Sequence, residues 1–262
     1  MKRTLISHFY NEEWLLPWFL NHHKTVFDHG IMIDYNSTDR SVEIIKEICP
    51  TWEIHKSKNP DFGVPRKIDQ EVQDYERKID GWRMALNVTE FLVGNLDHLG
   101  GHKEKDHYLG QWVFVDVEDP SEPRELDSSR PIHEQRHWAY KKLGDWELQS
   151  MGSTCRPPRS IHNYFKTYPA GRHYWKQQPT VNDLCVFYYG WASIEPKSIA
   201  RKMQIQHRIP KKPADPTRPG GHHFFTTENL IERFRQEQKP LAKNISSEIS
   251  KLVNIHEATK NK

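Results

Sequence analysis

A chain of 262 residues with 38 basic and 35 acidic side chains carries a net charge of +3, and no long run of one sign breaks that balance. Charge therefore gives no reason to expect a nucleic-acid partner. Three cysteines at wide spacing, Cys49, Cys155 and Cys185, exclude a disulfide framework and a zinc knuckle, and no segment reaches the ~18 apolar residues that a membrane span needs. The opening MKRTLISHFYNEE lacks the apolar core of a signal peptide, so the chain reads as cytoplasmic, with reduced and largely buried thiols. The Asn-x-Ser/Thr matches at Asn36, Asn87 and Asn244 are then chance. Aromatic residues make up 11 % of a chain that is only 35 % hydrophobic, which suits a folded domain with a polar surface and aromatic-lined clefts.

In chain order, RTLISHF is a short apolar run bounded by Asn11-Glu12-Glu13, the pattern of a buried strand that ends in a polar turn. EEWLLPWFLNHHKTVF follows with Trp14, Leu15, Trp18 and Phe19 at helical spacing and Pro17 in the first turn, where its missing N–H has no partner to lose. The unit repeats as a strand over residues 30–34, a polar turn over 35–40 and a helix over 41–48, and TWEIHKS is a third strand. Such alternation predicts a parallel sheet. KIDQEVQDYERKID carries Ile68, Val72, Tyr75 and Ile79 on one stripe and predicts a helix. Residues 81–93, GWRMALNVTEFLV, then read as a buried strand with Asn87, Thr89 and Glu90 at its carboxyl end, the edge where open α/β sheets bind ligands.

Beyond a Gly- and His-containing loop, GQWVFVDVED predicts another strand, HEQRHWAYKKLG a helix, DLCVFYYGW a strand, and residues 195–206 a helix. RIPKKPADPTRPGGHHFF is a long Pro/Gly-rich connector of the kind that serves as a lid. From Thr227 the pattern is helical and highly charged, and residues 242–262 are expected to fray.

Three segments together carry a resemblance. LISHFYNEEWLLPWFLNHH, IDYNSTDRSVEII and WRMALNVTEFLV resemble, in order and spacing over the first 95 residues, the GT-A-type glycosyltransferases that use nucleotide sugars, especially the family 2 branch. In that branch one strand ends in Asp-x-x-Ser-x-Asp and another reads Trp-x-x-x-x-Asp-x-Asp-Glu-Phe-Leu. The resemblance implies an α/β, Rossmann-like GT-A domain with a mostly parallel central sheet flanked by helices, spanning residues 1–226, and a charged helical C-terminal extension, 227–262. Residues 1–95 would bind the nucleotide sugar and 96–226 would hold the acceptor and the catalytic groups, with the lid at 208–225. It also implies a donor site built from Asn11, Asp34, Asn36, Ser37, Asp39 and the group from Asn87 through Thr89 to Glu90. Ser37, Thr38 and Asp39 are equally the residues that cap a helix.

In the family the Asp-x-Asp carboxylates hold a Mg2+ or Mn2+ that bridges the donor diphosphate. Here Asn87 and Thr89 replace both aspartates, and only Glu90 keeps a carboxylate, whereas hard cations favour carboxylate oxygens. Three readings stand open: a metal held weakly through Glu90, or through Asn87 with a histidine from elsewhere; a diphosphate neutralised by Arg, Lys and His; or lost catalysis with binding retained.

The second half resembles the family more loosely. RPPRSIHNYF and CVFYYGWASIEPKSIARK would place Arg156, Arg159, His162 and Lys202 on the diphosphate or acceptor side, with Tyr188 where the family has His. Family chemistry is inverting, and a carboxylate takes the proton of the attacking hydroxyl. Glu134 is the preferred base, with Asp116 and Glu118 as alternatives and a surface ion pair of Glu134 with Arg136 as the competing role. His222 and His223, beside Gly220-Gly221, are candidate phosphate or metal contacts. The function implied is sugar transfer from a nucleotide diphosphate-sugar to a glycan or lipid-linked acceptor, as in polysaccharide biosynthesis. A non-catalytic nucleotide-sugar or glycan-binding protein on the same scaffold is the alternative.

Overall fold

Short apolar strands and one-sided helices alternate through the first third of the chain. The computed structural model describes residues 2–59, 65–101, 103–142, 159–168, 170–172, 179–208 and 225–260. Strand β1 (Arg3–Phe9) leads to helix α1 (Leu16–His23), whose first turn contains Pro17. Then come β2 (His29–Asp34), α2 (Ser41–Ile48), β3 (Glu53–Lys56), α3 (Pro65–Glu76) and β4 (Trp82–Ala85). Strands β3, β2, β1 and β4 lie side by side and parallel, as the alternation predicts. Gly30 permits a close crossing, because a Cβ there would stand 2.2 Å from the Trp52 ring.

The run over residues 81–93 is two strands, not one. β4 keeps to β1 until the Leu86 N–H meets the Ile6 carbonyl. A turn closed by Glu90 N–H on the Asn87 carbonyl then carries the chain into β5 (Glu90–Gly94), a member of a different sheet. Asn87 and Thr89 thus lie in the bend between the two sheets.

The remaining strands are β6 (Asp106–Leu109), β7 (Gln111–Val115), β8 (Trp138–Lys142), β9 (Arg159–His162) and β10 (Leu184–Trp191). They are followed by helices α4 (Pro196–Met203) and α5 (Thr227–Arg233), the two-residue β11 (Lys243–Asn244) and α6 (Ser246–Thr259). β9 and β6 extend the first sheet in antiparallel fashion, giving the order β3-β2-β1-β4-β9-β6. The second sheet has the order β11-β8-β7-β10-β5 and is antiparallel except for β7 beside β10. The molecule is thus a mixed α/β structure whose first sheet is parallel only in its amino-terminal half.

Two further expectations are corrected. HEQRHWAYKKLG is not a helix: a short 3-10 turn, Ile132–Glu134, precedes β8. Pairing decides it, because Ala139 and Tyr140 point to opposite faces and bury against separate clusters while β7 and β11 flank the strand. Nor do residues 246–259 fray. α6 packs on β5, burying Ile249 and Leu252 in the same apolar cluster that holds Leu5, Phe91 and Val186, so one core joins both sheets and the C-terminal helix.

Candidate active site

The turns after β1 and β2 meet at the carboxyl edge of the first sheet and are stitched by their own side chains. Asn11, in the left-handed region at φ 48°, accepts the Thr38 N–H on Oδ1 at 2.7 Å and donates its own backbone N–H to Ser37 Oγ at 3.0 Å. Asp34 Oδ1 accepts the Ser37 N–H at 2.8 Å, and Asp39 accepts the N–H groups of Glu13 and Ser41. Asn11, Ser37 and Asp39 are therefore engaged in shaping the edge, the turn role that residues of this type favour. Asp34 is half-buried, and its Oδ2 has no hydrogen bond among the described residues, while Asn36 is exposed at φ 62°. Helix α4 and the 3-10 turn that follows it, Gln204–Arg208, close over this edge: Arg201 pairs with Glu12 at 3.0 Å, Gln204 donates to the carbonyls of Tyr10 and Asn11, and the Arg208 guanidinium lies 4.7 Å from the Tyr10 ring. Burial raises the Glu12 carboxyl above its ordinary value against the pull of Arg201.

One strand over, the bend at Asn87 holds a second cluster. Glu90 is fully buried; Oε1 accepts Nε and Nη2 of Arg159 at 2.9 and 2.7 Å, and Oε2 accepts the Asn87 N–H at 2.8 Å. Arg159 reaches across from β9 and also donates from Nη1 to the carbonyls of Gly171 and Arg172. Arg172 is 4 % exposed and left-handed at φ 56°. Its Nη2 donates to Asn87 Oδ1 at 3.0 Å and its Nη1 to Asp69 Oδ1 at 3.3 Å, while Asp69 Oδ2 accepts the Gly171 N–H. His8 and Tyr35 complete the cluster, their rings 5.9 Å apart. Desolvation, reinforced by the guanidinium groups of Arg172 and Arg159, holds His8 well below the ordinary histidine range. Burial likewise raises the Asp69 carboxyl, with Arg172 opposing.

This donor set does not fit a divalent cation. Both Glu90 oxygens already accept hydrogen bonds, two of them from a guanidinium, and the Asn87 oxygen faces a second guanidinium. A hard cation requires such oxygens to be open to it. Thr89 is buried, its carbonyl accepting the Tyr189 N–H. Among the described residues no group of three or more His, Cys, Asp or Glu side chains is placed to hold a metal ion.

The other sequence candidates have different partners, although Lys202 lies on α4 and acts on the Glu12 carboxyl. Glu134 is exposed and pairs with Arg130 at 3.6 Å, not with Arg136, in the segment beside the carboxyl end of α1. Asp116 is buried and closes the loop before α4, accepting the N–H groups of Glu118 and Ile194. Glu118 pairs with Arg235 and Lys239 and so ties down the C-terminal segment. His162 lies towards the amino edge of the sheet, opposite Arg83 and 3.7 Å from Glu76. Lys202 Nζ stands 3.6 Å over the Trp191 ring, and Tyr188 packs with Val113, Val115 and Phe234. Arg156, His222, His223 and the connector over 209–224 lie outside the described residues, although its two flanks are joined by Gln206 Nε2 donating to the Phe225 carbonyl.

Arg172, Asp69 and His8 escaped the reading from sequence. Arg172 stands in an Ala-Gly-Arg turn with no strand or helix pattern around it, Asp69 is one of many polar residues on a charged helix, and His8 sits inside an apolar run where a polar residue reads as solvent-facing.

No family model matches the chain, and comparison with curated proteins gave no match. Among solved structures the chain is similar to S. aureus TarS. Crystal structures of TarS 1-349, alone and in complex with UDP, align at 13 % identity and TM-score 0.38 over 79 % of this chain and 65 % of that one. TarS 1-349 in complex with UDP-GlcNAc aligns at 15 % identity and TM-score 0.30 over 44 % of this chain and 35 % of that one. The chain spans less than two thirds of the TarS chains it is similar to. No helix among the described residues is long and apolar enough to cross a membrane.

Proposed function

We propose that the protein is a glycosyltransferase of GT-A type that transfers a sugar from a nucleotide diphosphate-sugar to a glycan or lipid-linked acceptor. The observation that carries this reading is convergence: the three segments that resemble the family, around Asn11, Asp34 and Asn87, end side by side at the carboxyl edge of β1, β2 and β4. In an open α/β sheet that edge is where nucleotides bind. Asp34 offers an acceptor to a ribose hydroxyl or a base, and Arg172 offers a cation to the phosphates. In the transfer itself an acceptor hydroxyl attacks the anomeric carbon, its proton passes to a base, and the nucleoside diphosphate leaves with growing negative charge that a nearby cation stabilises.

The purified protein is expected to hydrolyse or transfer from at least one of a panel of nucleotide sugars. No turnover and no calorimetric binding of any donor would overturn the reading. Binding without catalysis is the second reading. It is favoured by one observation: Asp116, Glu118 and Glu134, the three carboxylates proposed as base, are each engaged with partners of their own. It predicts nucleotide binding with no product.

A further inference from the structure

We propose that the Arg172 guanidinium takes the place of the divalent cation at this site and receives the diphosphate of the donor, so that nucleoside diphosphates bind the protein without metal. The proposal rests on the glycosyltransferase reading and deepens it.

Four observations carry it. The oxygens that would ligate a cation are spent, Glu90 on Arg159 and Asn87 on Arg172 itself. Arg172 is also held in place at some cost. Both it and Gly171 lie in the left-handed region, at φ 56° and 73°, and for a residue with a side chain that conformation costs about 1–3 kcal/mol, tolerated where the surroundings over-determine it. The surroundings do so here: Asp69 grips the Gly171 N–H and the Arg172 side chain, and Arg159 grips both carbonyls. Third, the Arg172 Nε is buried and has no hydrogen-bond partner among the described residues. A desolvated donor is costly to leave unmade, and a phosphate oxygen is the acceptor that a guanidinium fork matches best. Fourth, the replacement of aspartate by asparagine at position 87 acquires a reason. Asp69 already pairs with the guanidinium, and a neutral amide at position 87 holds its other nitrogen without adding a second carboxylate that would compete with the incoming phosphate.

Calorimetric titration of the full chain with UDP, GDP, ADP, CDP and dTDP, each in EDTA and in Mn2+, tests this. The preferred nucleoside diphosphate should bind equally well in both. Arg172→Gln should reduce the preference for the diphosphate over the matching monophosphate by about tenfold, and Arg172→Lys should restore part of it. Binding that requires Mn2+, or an Arg172→Gln protein that keeps its diphosphate preference, would overturn the proposal and leave the glycosyltransferase reading standing. Absence of binding by any nucleoside diphosphate in either condition would overturn both. Should Arg172→Gln fail to fold, Asn87→Asp decides. It should weaken diphosphate binding in EDTA, and undiminished binding there would overturn the proposal.

Discussion

Glu90 is the carboxylate to which the resemblance would assign a metal, yet its surroundings make it a structural counter-ion. It is 0 % exposed and pairs with Arg159, itself 1 % exposed. Removing one member of such a buried pair strands the other in a low-dielectric interior, at a cost of about 3–5 kcal/mol. Glu90→Gln is therefore expected to lower unfolding stability by about that amount in urea titrations. A variant of unchanged stability that had lost only activity would point to a ligand role instead. Asp34 makes the opposite case. One of its oxygens holds the turn and the other has no partner among the described residues, so Asp34→Asn should weaken nucleotide binding while leaving the urea midpoint nearly unmoved.

The helix expected to fray binds the C-terminus to the core. Leu252 of α6 is buried in the main cluster, and Leu252→Ala should cost about 2–5 kcal/mol in the same assay, as truncation of a buried leucine does. Where α6 meets α1, His22 and His256 stack at 5.2 Å, and His23 accepts the Leu92 N–H on Nε2 while its Nδ1 donates to the Phe19 carbonyl, which fixes it as a neutral imidazole. Burial pushes His22 down to about 3 and His256 to about 4. The charged groups that face them are His133 from the 3-10 turn, Arg3 from β1, and Glu257 and Lys260 from α6 itself. Because the folded values lie below the ordinary 6.5, the unfolded chain binds more protons as the solution acidifies. The stabilisation is complete above pH 6.5 and declines below it by up to about 1.4 kcal/mol per pH unit for each proton taken up. Urea midpoints should fall steadily between pH 7 and pH 4, and His256→Gln should flatten that fall.

Across the whole molecule, legibility follows the kind of signal. The units β1-α1, β2-α2 and β3-α3 could be read because each strand is a compact apolar run and each helix carries one apolar stripe. The second sheet could not. Its strand β8 reads WAYKK, too short and too basic to stand out, and it becomes a strand only because β7 and β11 flank it. β4 and β5 merged into one expected strand because both are wholly buried and the polar residues between them, Asn87 and Thr89, alternate with Leu86 and Val88 as they would in a continuing strand. At the site, the turn residues Asn11, Asp34 and Asn87 were visible as polar punctuation after apolar runs. Arg172 and Asp69 were not, since only the tertiary fold brings α3 and the 170–172 turn to Asn87. A probe of the main cluster is available in two of its thiols. Cys49 and Cys185 are buried, with their thiols pushed up to about 11 and about 12, so neither should react with a disulfide reagent until the chain unfolds.

The proposed nucleotide-sugar site is the carboxyl edge of the first sheet, lined by Asp34, Asn87 and Arg172. A crystal structure grown with the preferred nucleoside diphosphate in EDTA tests it most directly. The nucleoside is expected beside Asp34 and phosphate oxygens within hydrogen-bonding distance of Arg172, with the Glu90–Arg159 pair intact. Nucleotide seated instead in the groove of about 380 Å3 between Lys58, Lys67 and Tyr75, or against His162 at the opposite edge, would contradict it.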